Sequence, residues 1–130
     1  MQIESELEIV NLNKQPHHRD KIRELLTKNG LMPSHQLDIT SIFKDSVIAT
    51  LREGGDVAYV IASKWDDHVH INYLVSTGGG LGSKLMFAFI DEMEMDMELV
   101  IRKSHIDFLT SYYGNLGFVP TTGLTMVLEY

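Results

Sequence analysis

Glycines at 78, 79, 80 and 82, flanked by Ser76, Thr77, Ser83 and Lys84, make the stretch of this chain best suited to chemistry. Residues without side chains let an anion come close to backbone N–H groups. Amides that converge where a strand runs into a helix N-terminus bind phosphate. His68 to Val75 reads as a buried strand entering these glycines, and Leu81, Leu85, Met86, Phe89 and Met93 recur behind them at helical spacing. The spelling fails two known phosphate cradles. The nucleoside-triphosphate loop needs Gly-Lys followed by Ser or Thr, whereas the order here is Gly82-Ser83-Lys84. Counted from Gly78, the dinucleotide fingerprint needs a glycine where Ser83 stands, and the repeated strand-helix units of that fold are missing. A plain strand-helix turn is the alternative reading.

Proton-handling groups cluster on the same strand. Strict alternation puts His68, His70 and Asn72 on one face and Val69, Ile71, Tyr73 and Val75 on the other. Alternate histidines suit a shared metal, but no Asp or Cys stands at convincing spacing, so no metal is expected. His17-His18 opens a helix and reads as solvated. Trp65 beside Asp66-Asp67 suits a cationic ligand or an anchor to the core. The acidic group Asp91, Glu92, Glu94, Asp96 and Glu98 reads as a solvated helix end, with a docking face for a basic partner as the alternative.

The elements that must position these groups fit one compact domain of 130 residues. The expected order is strand, helix, helix, three strands, helix, strand, helix, strand, an α/β arrangement. Leu7 to Leu12 is the first strand, and Pro16 opens a helix that Asn29-Gly30 stops. Leu31 to Asp45, with Pro33-Ser34 near its start, reads as a shorter helix. Val47 to Arg52 and Val57 to Ser63 flank the turn Glu53-Gly54-Gly55-Asp56, and with His68 to Val75 they predict an antiparallel meander. A helix follows from Gly80 to about Met95, then a strand at Glu98 to Ile101. Ser104 with Asp107 predicts a capping box for the last helix, and Leu124 to Leu128 closes the sheet.

Composition narrows the function. With 18 acidic and 11 basic residues the net charge is −7, which disfavours nucleic acid and anionic membrane and favours a cationic or neutral partner such as an amine. The chain has no cysteine, so a protein thiol takes no part in catalysis. No apolar run reaches membrane-spanning length and the first residues are acidic, so a cytoplasmic protein is expected.

From the hairpin strands onward, the chain resembles the GCN5-related N-acetyltransferase (GNAT) family. Gly80-Leu81-Gly82 matches the second half of that family's first motif. Tyr113 with Gly117-Phe118 reproduces its closing Tyr, three residues, Gly-Phe. Thr77 stands where the family prefers Gln or Arg, and Ile106 lies near a position where many relatives carry Asn. The resemblance implies a mixed, mostly antiparallel central sheet flanked by helices, with a splay between strands four and five. It implies acetyl-coenzyme A in that splay, its pantetheine along Tyr73, Leu74 and Val75 and its pyrophosphate on Thr77, Gly78, Gly79, Gly80, Leu81, Gly82 and Ser83.

The implied reaction is acetyl transfer to a primary amine, on a small molecule or on a protein lysine or N-terminus, by direct attack. A strand-four N–H near Tyr73 to Val75 would polarise the carbonyl. Tyr113, its phenol aimed from the start of the last helix, would serve the leaving thiolate; otherwise it is a packed aromatic. The family often places a Glu on strand four, which is missing here. His70 lies near that position and is the candidate base, with Glu53 behind it. His35, Asp38 and Asp45 sit on the implied acceptor side. A homodimer paired through Leu124 to Leu128 is a further implication. Two competing classes remain: a catalytically idle GNAT-like binding or inhibitor module, and a nucleotide-responsive phosphate-binding switch.

Overall fold

The computed structural model describes residues 6–31, 38–78 and 80–130. The expectations for His35, for Pro33-Ser34, for Gly79 and for the first residues lie outside that range, and of the helix expected over Leu31 to Asp45 the described part is helical only at Ile39–Ile42. Strand β1 (Glu8–Ile9) leads into helix α1 (Pro16–Lys28) and the single turn α2 (Ile39–Ile42). Strands β2 (Val47–Glu53), β3 (Asp56–Lys64) and β4 (His68–Ser76) follow, then helix α3 (Leu81–Met93), strand β5 (Asp96–Val100), helix α4 (Ile106–Gly114) and strands β6 (Val119–Pro120) and β7 (Thr125–Leu128).

The strands form one seven-stranded sheet in the order β1-β2-β3-β4-β5-β7-β6. Every neighbouring pair is antiparallel except β4 and β5. Gly54-Gly55 closes the β2–β3 hairpin between the paired residues Glu53 and Asp56, as its spelling predicts. β4 and β5 must be parallel because α3 carries the chain back across the sheet between them.

Helices cover both faces, so β3 is apolar without alternation. Its Ala58, Val60 and Ala62 pack with Leu85, Met86 and Phe89 of α3, while Val57, Tyr59 and Ile61 pack with Ile22, Leu25 and Leu26 of α1. Fully burying each of the large α3 side chains contributes about 1.5–3 kcal/mol. Small residues at Ala49, Ala58 and Ala62 let α3 sit close to the sheet. Among the described residues no helix is long and apolar enough to cross a membrane.

Four expectations are corrected. A short 3-10 turn (Lys103–His105) precedes α4 and no side chain caps either element, because the Ser104 hydroxyl pairs with its neighbour His105 instead of reaching Asp107. Strand β6 is additional to the expected set, too short to leave a pattern. It lies against Met126 and Val127, so β7 has neighbours on both edges and is not the free edge that a two-fold pairing needs. The fourth concerns β4. Ile61 pairs with Tyr73 but Ala62 pairs with Ile71, which leaves Asn72 as the extra residue of a β-bulge. Beyond the bulge the faces exchange. Val69 and Ile71 join the α3 core, whereas Tyr73 and Val75 join the α1 core.

Candidate active site

The bulge builds the site. β4 pairs with β5 from His68 to Ile71 and no further, while β5 continues with β7 as far as Val100. The two parallel strands therefore part beyond Ile71, and the edge of β4 from Tyr73 to Ser76 faces an opening. Because the bulge has exchanged the faces, Leu74 and Ser76 now point to the side of α3 and α4. A cavity of ≈ 300 Å³ lies there, lined by Leu74, Val75 and Ser76 of β4, by Gly78, Gly80, Gly82 and Ser83, and by one face of α4.

The floor is the N-terminus of α3. Gly80 takes its N-cap position with φ +70°, a conformation that costs any side-chain-bearing residue strain, and no side chain caps the turn. The amides of Gly82 and Ser83 stand in the first turn, where the helix itself supplies no acceptors. Gly82 also has little room for a side chain. A Cβ there would meet the Tyr112 hydroxyl at 3.1 Å and Leu74 Cδ2 at 3.9 Å. The Ser83 hydroxyl donates to that same Tyr112 oxygen at 3.1 Å, tying α3 to α4.

The α4 wall consists of Phe108, Leu109, Tyr112 and Tyr113. Tyr113 lies in the last turn of α4 rather than its first, packed edge-on to Phe118 at 5.7 Å. Among the described residues its hydroxyl has no hydrogen-bond partner. Burial, followed by the neighbouring Tyr112, pushes its pKa up to about 12. It is a neutral donor at any physiological pH.

Of the residues singled out from the sequence, Leu74, Val75, Gly78, Gly80, Gly82, Ser83 and Tyr113 line the cavity and Gly79 lies outside the described residues. Leu81 is 2% exposed and turned into the core. Tyr73 lies on the opposite face, edge-on to Phe43 at 5.9 Å. Thr77 turns away towards the β2–β3 hairpin: its hydroxyl donates to Asp56 at 2.9 Å and accepts from the Val57 amide at 3.0 Å. Glu53 is held by Lys84 at 2.8 Å, and Asp38 caps α2 by accepting from the Thr40 amide.

His70 does not line the cavity. Its Nδ1 is 3.6 Å from a Glu98 oxygen that also pairs with His68 Nε2 at 2.9 Å. His68 stacks on Trp65 and holds Asp67 at 2.7 Å, and that bond, with Glu98 behind it, raises the His68 pKa. Sequence reasoning named Ser76 only as a flank of the glycines and missed Phe108, Leu109 and Tyr112 as lining residues. The one available signal was the run of apolar side chains before Tyr113, which any core-facing helix also shows.

No protein-family model matches the chain, and no curated protein matches it in sequence. Solved structures do match. The ribosomal-protein-S18-alanine N-acetyltransferase from Escherichia coli aligns over 97% of this chain and 94% of its own, with TM-score 0.68 and 19% identity. An acetyltransferase assigned to the GNAT family from Bacteroides thetaiotaomicron aligns over 96% and 87%, with TM-score 0.74 and 12% identity. This chain has the GNAT fold. A structure of AtaTR bound with AcCoA aligns over 96% and 92%, with TM-score 0.55 and 13% identity. The mixed, mostly antiparallel sheet flanked by helices, with β4 and β5 parting, is the arrangement that the resemblance implied.

Proposed function

We propose that the protein is an acetyl-coenzyme A-dependent N-acetyltransferase. The observation that carries this reading is the joining of three parts in one cavity: the parted edge of β4, the uncapped glycine turn of α3, and the unpartnered Tyr113 hydroxyl. The fit to an extended, phosphate-bearing thioester is physical. Gly82 is a cradle that a methyl group would fill, and the first-turn amides suit a pyrophosphate. When bound, acetyl-coenzyme A supplies the activated acyl group.

The chain's own residues hold and position. The amides of Gly80 to Ser83 bind the phosphates, and the free edge from Tyr73 to Val75 offers hydrogen bonds to the pantetheine amides and an N–H to the thioester carbonyl. Tyr113 donates to the departing sulfur. Passing its proton from a pKa of about 12 to the less basic thiolate would run uphill. Tyr113 therefore stabilises the developing charge by hydrogen bonding more than by outright proton transfer. His70 on the α1 face, with a Glu98 oxygen 3.6 Å from its Nδ1, is the group that takes the ammonium proton. The acceptor is a primary amine, on a small molecule or a protein, drawn by the acidic surface. Acting on a protein alanine is a property named for the E. coli structure.

A catalytically idle binding module is the second reading, favoured by the diversion of Thr77 to the hairpin and by His70 lying off the cavity. Calorimetric titration with acetyl-coenzyme A, followed by a screen of amines for free-thiol release, separates the two. Micromolar binding that is lost in Gly80→Glu and accompanied by turnover is the expected result. Binding without turnover on any amine favours the idle module. No binding by the wild-type protein withdraws the acetyltransferase reading.

A further inference from the structure

Phe108 is 67% exposed although it stands on the cavity wall. It is stacked on Tyr112, one helical turn further along α4, with ring centroids 6.1 Å apart and planes 21° from parallel. Tyr112 is fixed from behind by the Ser83 hydroxyl and by its edge-on contact with Tyr113 at 5.1 Å. An apolar ring is thus backed by an immobilised aromatic and left open to solvent.

The order of residues along α4 says what that face is for. β5 runs parallel to β4, so α4 begins at the glycine-turn end of the sheet and descends towards the point where the strands part. Tyr113 is deepest, against Phe118; Tyr112 is level with Gly82 and Ser83; Phe108 is outermost, about 7.5 Å along the axis from Tyr113. Acetyl-coenzyme A has the same order from its thioester through its pyrophosphate to its nucleotide. Resting on the acetyl-coenzyme A reading of the cavity, we propose that Phe108 is a donor-binding residue whose ring stacks on the adenine base, with Tyr112 as its rigid backing.

The test compares wild type, Phe108→Ala and Phe108→Trp, using acetyl-coenzyme A itself. Exposure at position 108 should leave the melting temperature of each variant close to that of wild type. Stacking predicts that Phe108→Ala weakens acetyl-coenzyme A binding about ten-fold and that Phe108→Trp restores it. In nuclear magnetic resonance spectra, the adenine ring protons should move upfield on binding wild type and Trp but not Ala. Adenine protons that do not shift in wild type, or affinity unchanged in Phe108→Ala, overturn the proposal while leaving the acetyltransferase reading in place. Shifted pantetheine methyl groups with unshifted adenine also overturn it, placing Phe108 beside the arm. Absence of acetyl-coenzyme A binding by wild type removes both readings.

Discussion

Tyr112 and Tyr113 are neighbours in sequence with different tasks. Tyr112 spends its hydroxyl on Ser83 and joins two helices. Tyr113 keeps its hydroxyl unspent, and burial keeps the proton on it. Tyr113→Phe deletes only that oxygen and leaves the ring against Phe118, so cofactor affinity should stay within about two-fold while kcat falls about a hundred-fold. Calorimetry and thiol-release kinetics on one preparation check both halves. An unchanged kcat would exclude Tyr113 from the chemistry, and a parallel loss of affinity would make it a structural aromatic.

The α3 N-terminus has a glycine before its first turn and another within it. Gly80 supplies the left-handed backbone, and Gly82 the space that the Tyr112 phenol fills from the opposite side. Gly82→Ala should push that phenol away and narrow the cavity. We expect about ten-fold weaker acetyl-coenzyme A binding with little change in stability, since the displaced atom is the far end of a side chain. Tyr112→Phe removes the oxygen that the new methyl meets, so the double variant should bind better than the sum of the single losses. Strict additivity in that cycle would show that the two positions do not touch through the hydroxyl. The Asn72 bulge matters equally to β4: without it Leu74 and Ser76 would face α1, and the parted edge would present the wrong side chains to α3.

The stability of the whole molecule should depend on acid through one buried group. His18, expected from the sequence to be solvated, is 2% exposed on the buried face of α1, bonded to the Tyr59 hydroxyl at 2.7 Å. Burial, with His17 and Arg52 nearby, lowers its pKa from the ordinary 6.5. Between that lowered value and 6.5 the unfolded chain binds a proton that the folded chain refuses, so stability is lost as pH falls through this window. His68, raised by Asp67, acts in the opposite sense: its contribution is present at low pH and is lost as pH rises through its folded value. His68 is a surface pair and should weigh less. Thermal unfolding should therefore show a lower midpoint at pH ~5.5 than at pH ~7.5, with the slope flattened in His18→Gln. An unaltered slope in that variant would place the acid sensitivity elsewhere.

Local spelling was enough for much of this protein. The order of helices and strands, the Gly54-Gly55 hairpin, the glycine turn and the Tyr113 to Phe118 block are each written within a few residues, because turn geometry and helical spacing are short-range properties. What escaped depends on residues distant in sequence. Val69, Ile71, Tyr73 and Val75 look like one unbroken apolar face, and on a sheet buried from both sides a one-residue slip leaves no mark in the pattern; only the pairing with Ile61 and Ala62 makes Asn72 a bulge. Thr77 belongs by position to the glycine turn, but Asp56 and Val57, some 20 residues earlier, claim its hydroxyl. The aromatic wall of α4 reads as core until α3 is placed opposite it. The chain alone determined most of the elements and the glycine turn between β4 and α3, whereas the parting of β4 from β5 and the residues that line it follow from long-range packing.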